Sequence, residues 1–259
     1  MVVMLQKNHK NQLMSLAAAA RAILEGRLLV ITGAEHLLDQ LPAGRWIGGT
    51  NPYFYLEGEP GRLDEHHLMV SDFTDLALDF KIIDLPPVAI SQICTQGFEN
   101  GFHFLILPAF QAIHHDFAAQ APQIPALYQN PLLGFVAGAE LQKFEQGKGS
   151  KVYNGQNRTA HTHWGVVMYV QLPPGQAARL EIVNDFSSRP DFVLRVFKTD
   201  FVVRECEINQ EKVNLYEYIQ ANRLDIRNPL MSNYGGAKIN VSFYRLDEHK
   251  KEVHFYAPW

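Results

Sequence analysis

Apolar and polar positions along the chain change period several times, and each change marks an element. From about Asn11 to Glu25, Leu13, Leu16, Ala17, Ala20 and Leu24 recur at helical spacing, which predicts an amphipathic helix capped by Gly26. Leu28–Ile31 is a short apolar run, Leu41–Gly44 a turn, and Tyr53–Leu56 an aromatic strand. Leu68–Val70 and Phe80–Ile83 continue the strand pattern. Pro86-Pro87 opens a helix over Val88–Thr95, since proline suits a first helical turn. Phe102–Leu107 reads as a buried strand, and Ala109–Ala119 as a helix ended by Pro122 and Pro125.

Pro131–Gly138 is an apolar segment punctuated by glycine. The polar stretch Glu145–Lys151 is the best internal seam, and beyond it strands dominate: Lys151–Tyr153, Gly165–Leu172, Ala178–Val183, Phe192–Phe197 and Val202–Ile208. A helix is predicted over Asn214–Arg223, with Leu215, Tyr218 and Ile219 on one face. Ala237–Tyr244 and Glu252–Tyr256 read as a final hairpin around Asp247–Lys250. The expected fold class is α/β, of mixed α+β character. Two packed halves, 1–144 and 151–259, carry mixed, largely antiparallel sheets flanked by helices. A weak long-range likeness joins Arg45–Thr50, followed by Tyr53–Leu56, to Pro131–Gly138, followed by Lys151–Gly155.

Composition narrows the function classes. The chain has 259 residues, 47% hydrophobic and 19% charged, enough to bury a core without staples. A net charge of −4 and a pI near 6.2 argue against a general nucleic-acid surface. Cys94 and Cys206 make no disulfide framework. No run approaches the roughly 20 apolar residues of a membrane helix. Lys7, His9 and Lys10 before Leu13–Ala20 imitate a signal peptide, but the run is short and Arg21 interrupts it. A cytoplasmic protein is the expectation.

Candidate chemistry is sparse. His161-Thr162-His163 places two imidazoles on one face of an extended segment, a geometry that can bite zinc or iron. A third ligand is missing nearby, the next acidic residue being Glu181. The pairs His66-His67 and His114-His115 cannot chelate locally. There is no nucleophile elbow and no phosphate-binding glycine loop, and neither cysteine carries a reactive-thiol signature. Nothing brings Asp72, Asp75, Asp79 and Asp84 together. Arg45, Trp46, Asn51, Tyr53 and Tyr55, and likewise Tyr153, Asn154 and Asn184, are instead the residue types that line small-ligand pockets.

The segments Leu41–Thr50 and Pro131–Gly138 resemble the two glycine-rich segments of FIST sensory domains. Tyr153-Asn154-Gly155 with Gly165–Leu172 is similar to the strand, turn and strand that follow there, and Phe201–Asn209 with Leu215–Ile219 to a later strand and helix. The resemblance spans about half the chain. It implies an intracellular sensory module that binds a small ligand, with amino acids as candidates, and it supplies no catalytic residues. The expectation is therefore a small-ligand binder using Arg45, Gly48, Gly49, Thr50, Tyr53 and Asn184. No cofactor, nucleic acid or membrane is called for, and homo-oligomerisation is left open. The alternative is a metal-dependent enzyme built on His161 and His163.

Overall fold

A computed structural model describes residues 11–56, 58, 60–127, 129–140, 142–143, 149–181, 192–198, 200–225, 230–234 and 237–255. The chain is of mixed α/β class and divides into two compact units, residues 1–180 and 181–259.

The first unit runs β1 (Gln12–Ser15), α1 (Leu16–Leu24), β2 (Leu29–Gly33), α2 (Glu35–Leu38), β3 (Trp46–Thr50), β4 (Tyr53–Phe54), β5 (Arg62–Leu63) and β6 (His67–Asp72). It continues with β7 (Asp79–Leu85), a 3-10 helix (Pro87–Gln92), β8 (Gly101–Pro108), α3 (Ala112–Gln120), a 3-10 turn (Ala121–Gln123), β9 (Leu132–Ala137), β10 (Val152–Asn154), β11 (Thr159–His161) and β12 (Gly165–Gln171). One sheet has the order β1-β6-β2-β3-β10-β11 and the other β7-β12-β8-β9; β4 and β5 pair only with each other.

Side-chain alternation sorts these strands into four layers. Val30, Ile47 and Val152 from the first sheet meet Phe104, Ile106, Val166, Met168 and Val170 from the second, forming the central core. The outer face of the first sheet, with Leu29, Ile31, Trp46 and Val70, is covered by Ala19, Ile23, Leu37 and Leu38 of the two short helices. The outer face of the second, with Leu105, Leu107, Val167 and Tyr169, is covered by Ile90 and Ile113. Because β8 and β12 are buried on both faces, they read as unbroken apolar runs.

The two sheets repeat one topology. Strands β1, β2, β3 and β6 stand in spatial order 1-4-2-3, and so do β7, β8, β9 and β12. In each set the first and fourth strands pair antiparallel, as do the fourth and second, while the second and third pair parallel. A helix separates first from second and second from third strand, and a hairpin separates third from fourth. Even the glycines correspond. Gly48 pairs with Ile31 and Gly134 with Leu105, each on the helix-covered face. A β-carbon at Gly48 would stand 2.7 Å from the Ile31 carbonyl oxygen, and one at Gly134 would collide with that of Leu105. The likeness of Arg45–Thr50 to Pro131–Gly138 thus falls on β3 and β9, the same strand of each repeat.

The expected division between 1–144 and 151–259 is corrected by pairing. Strand β10 lies beyond the seam yet pairs with β3, and β12 pairs with β7 and β8, so the first unit extends to residue 180. The predicted N-terminal helix also starts late. Residues 12–15 pair with β6, and the Ser15 hydroxyl accepts the Ala18 N–H, so the helix begins at Leu16.

The second unit holds β13 (Leu194–Val196), β14 (Val202–Val203), β15 (Glu205–Ile208), β16 (Glu211–Asn214), α4 (Leu215–Ala221), β17 (Met231–Tyr234), β18 (Ala237–Asn240), β19 (Phe243–Asp247) and β20 (Glu252–Phe255). The sheet orders are β13-β15-β16 and β14-β20-β19, with β17 and β18 as a separate two-stranded sheet. Val203, Cys206, Leu215, Ile219, Val253 and Phe255 form its core. Asn214 caps α4 by accepting the Glu217 N–H at 3.0 Å.

Candidate functional site

Parallel strands β2 and β3 end side by side at Gly33 and Thr50, and the chain leaves β2 directly into α2. Crevices outside the carboxyl ends of parallel strands are where open α/β sheets take ligands. A cleft of about 220 Å³ lies there, walled by Gly33, Ala34, Thr50, Pro52 and Ala139, with Glu35, His36, Asp39, Glu65, Glu140 and Lys143 around it.

Thr50 is the fixed point, with 2% of its surface exposed. Its backbone N–H donates to the Lys151 carbonyl and its Oγ1 accepts the Lys151 N–H, both at 2.9 Å. Its carbonyl accepts the Gly138 N–H at 2.6 Å, and the Asn51 N–H donates to Gly33 at 3.0 Å. One residue therefore ties β3 to the segments after β9 and before β10.

The charged rim is organised around two lysines. Lys143 Nζ donates to Glu65 at 2.8 Å and stands 2.9 Å from Glu140. The hydrogen bond and charge of Lys143 hold Glu65 below the usual carboxylate range, and hydrogen bonds to Glu65 and Glu140 hold Lys143 above the usual amine range. Lys151 lies 2.5 Å from Glu35 and 4.0 Å from Asp39, and its bond to Glu35 raises it too. The Tyr153 hydroxyl donates to Asp39 at 2.8 Å; burial and then that bond push the phenol up. Four carboxylates thus face two ammonium groups, a surplus of negative charge suited to a ligand bearing a cationic group.

Of the described residues singled out from sequence, Thr50 alone lines this cleft. Arg45 sits at the opposite end of β3, over the Phe80 ring at 5.5 Å. Five residue steps of strand carry it about 16 Å from Thr50, too far for one small ligand. Gly48 makes room for the Ile31 carbonyl. Gly49 makes room for the facing sheet, where a β-carbon would stand 2.7 Å from Ile106 and 3.0 Å from Phe135. Both glycines serve close packing. Tyr53 is exposed on β4, with its N–H bonded to Asn51 Oδ1 at 3.1 Å, and it does not line the cleft. Asn184 lies outside the described residues, as do Glu145–Lys148 of the seam and Tyr256–Trp259. The rim residues Glu35, Asp39, Glu65, Glu140 and Lys143 had no sequence signal, because they converge from segments up to a hundred residues apart.

The two histidines are not brought to a common centre. Strand β11 ends at His161 and the chain bends through 162–164, so the alternation that would align them stops. His161 stacks on Trp164 at 5.0 Å, and its Nε2 lies 3.1 Å from Asp84 Oδ1, close enough for charge but out of line for a hydrogen bond. His163 Nδ1 meets Gln111 Oε1 at 2.6 Å. Asp84 also accepts from Asn154 and Asn157 at 3.1 Å and from Thr159 at 3.2 Å. Its carboxylate is filled with donors and stitches the edge of β7 to the β10–β11 hairpin. Among the described residues the one cluster of metal-ligating type is Asp247, Glu252 and His254, in the second unit. Arg204 reaches Glu252 at 2.6 Å, and Arg245 reaches Asp247 and His254 at 3.2 Å, so arginines already take the cation's place.

Fold and site together define a duplicated four-layer α/β unit with an acidic cleft at the end of a parallel strand pair. Residues 14–259 match a family of unknown function, DUF6976, and the chain belongs to that family. Comparison with curated proteins and with solved structures gives no match. No helix among the described residues is long and apolar enough to cross a membrane.

Proposed function

We propose that the protein binds a small ligand carrying a cationic amino group, an amino acid being the simplest example, in the cleft at the ends of β2 and β3. The observation that carries this reading is the cleft itself: a fixed Thr50 floor, walls that include Gly33 and Ala34, and a rim of four carboxylates against two lysines. At about 220 Å³ it is smaller than the 300–1,000 Å³ of drug-sized sites, which favours a metabolite of a few heavy atoms. The Thr50 hydroxyl is held by the Lys151 backbone and the two lysines are paired with carboxylates, which supports a role in binding and signalling. The resemblance of the glycine segments to FIST sensory domains points the same way. A cytoplasmic setting fits two free thiols and a near-neutral charge.

Thermal shift against a panel of amino acids and small amines tests it. Ligand at a hundred times its Kd stabilises the fold by about 2.7 kcal/mol. The shift is expected from amine-bearing compounds and lost in E35Q and E140Q. No stabilisation by any of them at millimolar concentration overturns the reading.

A further inference from the structure

The two repeats differ at one edge. In the first, β3 is followed in its sheet by β10, which pairs antiparallel with the register Val152 to Gly49, Tyr153 to Gly48 and Asn154 to Ile47. In the second, β9 occupies the place of β3 and is the last strand of its sheet among the described residues. The β4–β5 hairpin, which stands in the repeat where β10–β11 stands in the other, forms a separate two-stranded sheet. The fold thus contains its own template for what belongs on the open side of β9: one short antiparallel strand.

The sequence of β9 fits such a partner. Exposed sheet edges are ordinarily blunted by charge, proline or shortness. In this unit β7 carries Asp79, Lys81 and Asp84, β1 carries Gln12 and Ser15, and β11 is three residues long with His161. Strand β9, Leu-Leu-Gly-Phe-Val-Ala, has none of these guards, and Val136 is 43% exposed. Leu133 and Phe135 pack on the central core only in part.

We propose that β9 pairs antiparallel with β9 of a second copy of this chain. Its sequence is self-complementary for this. A two-fold axis through Gly134 sets Leu133 of one copy opposite Phe135 of the other, and Leu132 opposite Val136, so every pair matches apolar with apolar on one face. With no charge on the strand, nothing selects a differently charged partner. The contact is isologous and uses both free edges, so assembly stops at two and the four-stranded sheets join into one of eight.

The test is the mass of the full chain in solution over a hundredfold concentration range, with hydrogen exchange on the same samples. The wild type is expected at twice 29.4 kDa at the upper end, with amides of residues 132–136 exchanging more slowly as the dimer fills. V136K, a charge at an exposed edge position, is expected to halve the mass while keeping its circular dichroism, and V136T to retain the dimer. A wild type that stays monomeric overturns the proposal, whether β9 exchanges freely or is protected by another segment of its own chain. So does a dimer that survives in folded V136K, or growth beyond two. If V136K fails to fold, the wild-type exchange series decides alone.

Discussion

Protonation of His114 should cost the fold more than any other single titration near neutral pH. His114 sits on α3 with 6% of its surface exposed, and its Nδ1 accepts the Phe110 N–H at 3.3 Å. Burial, with a smaller contribution from the neighbouring His115, lowers its pKa from 6.5 to about 4. The unfolded chain therefore binds a proton between these values that the folded chain refuses. The stabilisation is complete above pH 6.5 and is lost as pH falls towards 4. A separation of about 2.5 units at 1.36 kcal/mol per unit gives about 3 kcal/mol in all, of which about 2 kcal/mol is lost between pH 7 and pH 5. Urea unfolding at both pH values reads this directly. In H114N the amide oxygen can stand where Nδ1 stood and accept the same N–H, yet it does not titrate. The wild type is expected to lose about 2 kcal/mol more than H114N over that interval. Parallel losses in the two proteins would refute the argument, because His103, also lowered by burial, titrates in both.

The repeated glycines and the Asp84 seam give further expectations. G48A and G134A should each destabilise by about 1–3 kcal/mol, the usual cost of overpacking, and G134A more than G48A because its β-carbon meets Leu105 more closely; equal stability to wild type in a thermal melt would refute this. D84A strands the buried Asn154 amide and should cost about 2–4 kcal/mol by urea titration, with D84N milder because it keeps an acceptor; equal costs would count against the hub.

Strand content was written locally where both faces are buried. Phe102–Leu107 and Gly165–Leu172 can be read directly because a strand inside two layers shows no polar alternation. The Asn11–Glu25 stretch misled because its apolar spacing is helical throughout, while Gln12–Ser15 is held extended by pairing with β6, a contact more than fifty residues away. The seam at 145–151 misled in the same manner: its polarity marks a loop, but the strand after it returns to β3. Of the site, Thr50 was legible as part of a glycine-rich strand end. The rim was not, since Glu35, Glu65 and Glu140 are unremarkable singly and meet each other and their lysines only on folding. Arg45 and Tyr53 lie near Thr50 in sequence, but the length of β3 carries Arg45 to the other end of the strand.

Duplication explains why one cleft is open. The repeat supplies two equivalent crevices, one at the ends of β2 and β3 and one at the ends of β8 and β9. At the second, side chains take the backbone N–H groups of the turn. The Ala109 N–H is shared between the Ala137 carbonyl at 3.1 Å and the buried Ser150 hydroxyl at 2.8 Å, and His114 takes the next N–H, from Phe110. In the first crevice the corresponding turn from β2 into α2 sets exposed Glu35, His36 and Asp39 at its mouth. Ser150 is adjacent to Lys151, whose backbone clamps Thr50 and whose ammonium holds Glu35. The same two-residue step therefore fills one crevice and shapes the other.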